Sequence, residues 1–385
     1  MLLLKLLLKN AFRQTLRAIL TIIATTIAIL AFGFLRTIVD AWYSGVEASS
    51  PKRLVTRNAI SLTTPLPISY KDKIKKVRGV SLVSYGNWFG GVYISEKNFI
   101  PNFAVDAATY LELYPEYVLS AEEKKAFLKD RKGCIAGRKV AEEFGWRIGD
   151  TIVLKGTIFP GEWEFTLRGI YRGLRPATDE TQLFFHFDYL NERLKKIYPQ
   201  RADHAGFFLI GIDDPRRAAE ISLEIDSLFK NSLAETLTET EKAFQLGFVA
   251  MTEAILITIK LVSYVLIIII LAIVANTMSM NVRERLSEYA VMKTMGFSWP
   301  HISILVFGES LVITTIGAIG GIILTFPAAK IFVDAMGTLL PVFNITEKTL
   351  ILDLIISIAV GISAGLLPAW KAINVPVQRA LTRIG

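Results

Sequence analysis

The chain has 385 residues, 52% of them hydrophobic and 20% charged, with a mean hydropathy of +0.43, which is more apolar than an ordinary soluble domain and excludes a wholly soluble enzyme. A net charge of +8 would suit a nucleic-acid binder, but Asp40 to Glu253 carries 29 basic and 29 acidic residues, so the whole surplus flanks the apolar segments and no nucleic-acid partner is expected. The single cysteine, Cys134, excludes an intramolecular disulfide and a cysteine-based zinc cluster.

Lys5, Lys9, Arg13 and Arg17 recur every four residues between leucines, which predicts an amphipathic helix over 1–17 that lies on the membrane surface and runs into a first span at 18–38. Ala18 to Leu35 is uncharged. That apolar run is too long for a cleaved signal peptide, so a retained signal anchor is expected. The insert that follows, 39–250, is long enough for one or two domains with their own core. Its pattern is mixed α and β. Ser69 and Asp72 read as a capping pair, Ile74 and Val77 as a short apolar stripe, Gly79 as a helix stop, and Val80 to Tyr85 as a strand. Val140 to Phe144 reads as helix, Gly149-Asp150 as a turn, and Thr151 to Leu154 and Phe165 to Ile170 as strands. Gly206 to Ile212 reads as a buried strand, with Asp213, Asp214 and Pro215 capping a helix after it. From there Ile221, Ile225, Leu228, Leu237, Phe244 and Phe248 keep a loose apolar stripe, which predicts an unbroken helical stalk into the second span.

Further spans are expected at 251–280, 300–329 and 350–370, each near the roughly 20 apolar residues that cross a bilayer. Arg283, Arg285 and Lys293, then Lys371, Arg379 and Arg383, outnumber Lys330 and Lys348 in the loop 330–349. This places both termini, the segment 281–299 and the tail 371–385 in the cytoplasm, and the insert outside. Lys260, Glu309 and Asp353 lie near span ends, where charged heads reach the interface; a proton relay is the weaker reading. Gly317 with Gly321, and Gly361 with Gly365, have the GxxxG spacing that lets helix backbones approach closely. The fold class is therefore an α-helical membrane protein of four transmembrane helices, with an α+β extracytoplasmic domain inserted between helices 1 and 2.

Catalytic signatures are missing. There is no G-x-x-x-x-G-K-[ST], no H-E-x-x-H and no G-x-S-x-G, and with few residues before the first span and after the last no fused ATPase domain is expected. His186 with Asp188, and Asp203 with His204, could form a metal site, but surface histidines and acids are the more frequent origin of such pairs, and no metal is expected. Cys134, followed by Ile135 and Ala136, reads as a small core residue. Trp88, Phe89, Tyr93, Trp146, Phe159 and Trp163 fit either core packing or the lining of a cleft for a lipid-like ligand.

After the second span stands NVRERLSEYAVMKTMGFS, Asn281 to Ser298, in which Arg283, Glu284, Arg285, Glu288 and Lys293 alternate with Leu286, Ala290, Met292 and Met295 before Gly296 ends the helix. Such an element can insert its apolar side into a partner while its charges set the register. The segment resembles the coupling element of the MacB/FtsX/LolC-type ABC transporter permease family through Glu284-Arg285, Glu288-Tyr289-Ala290 and Lys293 to Gly296. GESLVITTIGAIGG, Gly308 to Gly321, is similar to that family's third span; Pro368, Ala369, Ala372, Pro376 and Leu381 are similar to its C-terminal end. GRKVAEEFGWRIGDTIVL, Gly137 to Leu154, loosely resembles its periplasmic core.

The resemblance implies a permease subunit, not an enzyme, that binds no cofactor itself. ATP and Mg would sit on a separate ATPase, present in two copies. It implies a second permease copy or a paralogue, membrane lipids and a periplasmic adaptor as partners, and the bacterial inner membrane as location. It also implies mechanotransmission, with the ATPase contacting Glu284, Arg285, Glu288, Met292, Lys293 and Gly296, for export or extraction of a lipid, lipoprotein, peptide or drug. The alternative is an FtsX-like regulator of a cell-wall hydrolase or a sensor partner that moves no substrate.

Overall fold

The structure is a computed structural model describing residues 7, 9–96, 98, 100–336 and 342–374. Lys5, Pro376, Arg379, Leu381 and Arg383 lie outside the described residues. The chain divides into two compact units, one built on the residues up to Asp40, Glu253–Ala335 and those from Phe343 onward, the other on Ala41–Thr252.

In the first unit, four helices are long and apolar enough to cross a membrane. Span one is Thr15–Trp42, span two Glu253–Glu284, span three Trp299–Met336 and span four Glu347–Ile373. Each is apolar nearly all round, as a lipid-facing helix must be. The N-terminal helix does not run straight into span one, because Phe12 to Gln14 form a turn before Thr15. Small residues set the packing. A Cβ on Gly317 or Gly321 would stand 2.7 Å from Thr25 or 2.8 Å from Ile29 of span one. One on Gly361 or Gly365 of span four would stand 2.6 Å from Thr314 or 2.8 Å from Phe307 of span three. Hydroxyls stitch the same contacts, with Ser310 donating to the Gly361 carbonyl at 2.7 Å and Ser357 to the Thr314 carbonyl at 2.8 Å.

The insert is an α/β domain on a mixed sheet. Its strands are β1 Arg53–Asn58, β2 Leu66–Pro67, β3 Val80–Trp88, β4 Gly91–Tyr93, β5 Asn102–Val105, β6 Tyr117–Val118, β7 Gly133–Gly137, β8 Thr151–Gly156, β9 Gly161–Gly173, β10 Leu183–His186, β11 His204–Ala205, β12 Phe207–Ile212 and β13 Thr236–Thr240. The main sheet runs β13-β1-β12-β3-β5-β10-β7-β9-β8-β4, with β6 on the end of β9 and β2–β11 as a separate ribbon. Only β5–β10 and β7–β9 are parallel among these pairs.

β4 follows β3 in sequence yet stands at the far edge. Trp88 to Gly91 spans at most about 11 Å, so the sheet must curl back on itself. The buried Asn102 side chain closes this curl by donating to the Gly91 carbonyl and accepting from the Gly91 N–H, both at 2.7 Å. Neighbouring strand residues enter opposite cores: Leu54, Cys134 and Phe185 pack on one face, Val55, Ile135 and Phe184 on the other. A sheet covered on both faces explains the continuous apolar runs of β7, β10 and β12.

The Ser69 cap and the stalk do not form as the sequence suggested. Ser69 has helical dihedrals, φ −61° and ψ −16°, and its side chain caps nothing. The run expected to be one helix is cut into Ala218–Leu228, then β13, then Glu241–Met251. Thr236, Leu237, Thr238 and Thr240 alternate with a period of two and hydrogen-bond along β1, and this pairing wins over the sparse helical stripe.

Candidate functional site

Span two ends at Glu284, Arg285 breaks the helix at φ −108° and ψ 14°, and a short helix Leu286–Thr294 follows. Gly296 then takes φ +93°, a left-handed turn that leads into Trp299 and span three. This reversal converges several charges. Arg285, 8% exposed, donates to Glu309 of span three at 3.2 Å and to Glu288 at 3.1 Å. Glu309, 3% exposed, also accepts from Asn281 at 2.8 Å. Glu288 accepts from Arg13 at 2.6 Å. Arg17 donates to Glu284 and to Asn281, both at 3.1 Å, and Gln14 also donates to Glu284. Two of these guanidiniums, Arg13 and Arg285, and the three carboxylates line a cavity of about 110 Å³.

Pairing is what lets Arg285 and Glu309 be buried, since each ion keeps a counter-charge and hydrogen bonds, while Arg13, Arg17, Glu284 and Glu288 stay partly in solvent. Burial works against the Arg285 charge, but Tyr289, Glu288 and Glu309 outweigh it and hold the guanidinium above its ordinary pKa. Burial would likewise raise Glu288, but hydrogen bonds from Arg13 and Arg285 outweigh it and hold the carboxyl below the usual range. The network ties the segment before span one, the end of span two, the short helix and span three into one charge-paired group.

The residues read as ATPase contacts therefore differ in where they point. Glu284, Arg285 and Glu288 are engaged within the chain. Met292 is partly buried against the cluster that includes Val282, Tyr289 and Ile302, and Lys293 donates to the Ile373 carbonyl at the end of span four. Gly296 has no neighbour within 4 Å of a built Cβ. Beside it Val291, Met295, Phe297 and Trp299 stand 39–66% exposed, an apolar surface on the outside of the turn. The sequence reading missed Asn281, Gln14 and Glu309 as members of the network. Glu309, expected to reach the interface, is buried; its isolation in an uncharged run was the available signal.

Elsewhere, the candidate metal ligands do not converge. His186 Nε2 lies 2.7 Å from the Phe127 carbonyl, His204 Nδ1 lies 2.6 Å from the Ala202 carbonyl, and Asp203 accepts from Asn191 at 2.8 Å. Among the described residues no three His, Cys, Asp or Glu side chains group as metal ligands. Phe89, Phe159 and Trp163 are core, with Phe89 edge-on to Trp163 at 5.3 Å, and Tyr93 stands edge-on to Trp146 at 5.0 Å. Trp146 also borders a cavity of about 730 Å³ with Val118, Ile170, Arg138, Arg147 and Arg172. Cys134 is fully buried, and burial pushes its thiol up, so it stays protonated and unreactive.

Residues 260–377 match the family FtsX-like permease C-terminal. The chain is 24% identical to an uncharacterised ABC transporter permease of Methanocaldococcus jannaschii, over 94% of this chain and 92% of that protein. It is 22% identical to an uncharacterised ABC transporter permease protein of Mycobacterium tuberculosis, over 68% of this chain but 30% of that protein. Among solved structures it is similar to the extracellular domain of the noncanonic ABC-type transporter YknZ from Gram-positive bacteria (TM-score 0.36, 14% identity, 49% of this chain and 100% of that one). It is also similar to the periplasmic region of MacB from Actinobacillus actinomycetemcomitans (TM-score 0.38, 9% identity, 53% and 95%). Residues 260–377 are thus FtsX-like permease sequence, and over most of its length the chain is similar to an ABC transporter permease.

Proposed function

We propose that this permease converts ATP hydrolysis on two copies of a separate ATPase subunit into motion of its insert. It would work with a second permease copy, for export or extraction of a lipid, lipoprotein, peptide or drug outside a cytoplasmic membrane. The observation that carries the reading is the charge network around Arg285. A push on the Leu286–Thr294 helix cannot be absorbed locally, because Arg285, Glu288 and Glu309 bind that helix to span three and to Arg13 before span one. Paired groups with a few discrete arrangements switch as units, which suits a two-state transmission. In this reading Val291, Met295, Phe297 and Trp299 meet the ATPase together with Lys293 and Gly296, while Glu284, Arg285 and Glu288 pass the displacement on. Both termini and the turn lie in the cytoplasm, as the basic flanks support.

The test is co-purification of the tagged chain with a candidate ABC ATPase subunit, followed by turnover measurements. Met295→Asp with Trp299→Asp is expected to lose the ATPase. Glu309→Gln is expected to retain it but to lose the effect of the permease on its turnover. If the wild type retains no ATPase, the transport reading fails and the insert becomes a receptor for a regulated partner.

A further inference from the structure

Span four carries one carboxylate in its buried stripe. Asp353 is 0% exposed, and neither carboxyl oxygen has a hydrogen-bond partner among the described residues. It stands six residues into the helix, about 9 Å along its axis, and it presses on Gly33 of span one: a Cβ there would meet Oδ2 at 2.7 Å. The expectation that this head reaches the interface is overturned, because the close approach of Gly33 closes the carboxyl in. An ionised carboxylate so placed is strongly disfavoured unless a cation compensates it.

No hydrogen-bonded partner does so among the described residues. Of the charged and titratable groups on the neighbouring helices, namely Arg17, Arg36 and Asp40 on span one, Glu253, Lys260, Tyr264, Arg283 and Glu284 on span two, Glu288, Tyr289 and Lys293 on the short helix, and His301, Glu309 and Lys330 on span three, none hydrogen-bonds to Asp353. Arg36 pairs with Asp40 at 3.3 Å, and Asp40 accepts from Thr349 at 3.1 Å. A metal cation finds no further ligand either. The Thr37 hydroxyl donates to the Gly33 carbonyl at 2.7 Å, the Ser357 hydroxyl to the Thr314 carbonyl at 2.8 Å, and no three acidic, His or Cys side chains group here among the described residues.

We propose that Asp353 is a proton-binding site: the carboxyl is protonated while span one lies against span four, and gives its proton to water when Gly33 moves away and the site hydrates. The proton adds to one carboxylate oxygen and leaves as hydronium, with no other bond changed. Packing of these two helices is thereby linked to pH. This inference rests on the membrane unit alone and stands whether or not an ATPase binds.

The test uses the full chain in lipid nanodiscs. Infrared spectra at neutral pH are expected to show a carboxylic-acid C=O stretch that shifts in wild type made with carboxyl-labelled aspartate and is absent from Asp353→Asn. Thermal stability of the wild type is expected to fall from neutral to alkaline pH, and the Asp353→Asn profile to be flatter. If that variant does not fold, the isotope shift in the wild type decides alone. No labelled band at neutral pH overturns the proposal, as do identical pH profiles. A stability gain with sodium at fixed pH, seen only in the wild type, would replace the proton by a metal cation and overturn it equally.

Discussion

In the insert, Arg53 of β1 is 4% exposed and Glu241, at the start of the Glu241–Met251 helix, is 5% exposed. Glu241 accepts from Arg53 Nε and the Ser50 N–H at 2.7 Å, and from the Tyr114 hydroxyl at 2.8 Å. Arg53 also donates to Glu116 at 2.6 Å and stacks on the Tyr114 ring at 4.0 Å. The pair joins the strand by which the chain enters the domain to the helix by which it leaves. Arg53→Met leaves Glu241 ionised and buried without its counter-charge, a change that costs about 3 kcal/mol. For a domain of this size that lowers the melting temperature by about 6 to 12 °C. Replacing both residues by Met removes the orphaned charge, and Glu116, the more exposed partner, rehydrates. The double variant is therefore expected to melt above Arg53→Met alone. Tryptophan-fluorescence melting of the purified full chain reads both. A double variant destabilised by the sum of the two singles would refute the reasoning, since it would mean that packing and not charge holds the pair.

Further expectations follow from other parts of the insert. Cys134 should resist maleimide in the folded chain and react fully only after denaturation; native labelling at the denatured rate would contradict its burial. Ser120 and Glu123 form a complete capping box at the Ala121–Lys129 helix, and Ser120→Ala should cost about 1 kcal/mol in a melting experiment. Burial acts to raise the Glu123 carboxyl, but hydrogen bonds from Ser120 and Ile170 outweigh it and hold it below the usual range. Its stabilisation is thus present above the unfolded carboxyl pKa of about 4.3 and fades as pH falls through the folded value; Glu123→Gln should flatten acid melting curves. A Cβ on Gly137 would stand 2.0 Å from the Glu180 carbonyl oxygen, whereas one on Gly145 meets nothing within 4 Å at φ +67°. Gly137→Ala should then cost about 3 kcal/mol and Gly145→Ala about 1 kcal/mol, and equal losses would argue against the contact.

What the sequence could reveal depended on how local the cause was. The helix Arg138–Phe144 with β8 and β9, and β12 with the Ala218–Leu228 helix, follow from periodicity and turn residues within a few positions. The membrane helices follow from length and apolarity alone. Strand order was not legible, because β4 joins β8 and the sheet closes through Asn102, contacts set by global curl. The charge network was missed for a related reason. Arg13, Arg17 and Glu309 were each judged against the membrane interface, yet their partners Glu288, Glu284 and Arg285 come from distant sequence. Charges read singly look like flanks, and only their pairing makes them a site. Asp353 was misread likewise: its depth in the helix was visible, the approach of Gly33 was not.

Under the proposed function, the Arg285–Glu309 pair allows stability and transmission to be separated. A buried ion pair commonly contributes little net stability, and apolar residues of similar volume often replace it without loss. In Arg285→Met with Glu309→Met, Glu288 keeps Arg13 and Asn281 keeps Arg17, so no ion is left buried alone. The double variant should therefore fold and melt within about 1 kcal/mol of the wild type and, on the proposed contact surface at Met295 and Trp299, still retain the ATPase. What it lacks is the charge connection from the short helix to span three. Turnover of the bound ATPase should then become independent of the permease, and protease cleavage of the insert should no longer change with nucleotide. A variant that keeps both responses would show that displacement passes through the Val282, Tyr289 and Ile302 packing instead. Arg285→Met alone is the less decisive variant, because it leaves Glu309 without that partner at 3% exposure and mixes misfolding with loss of coupling.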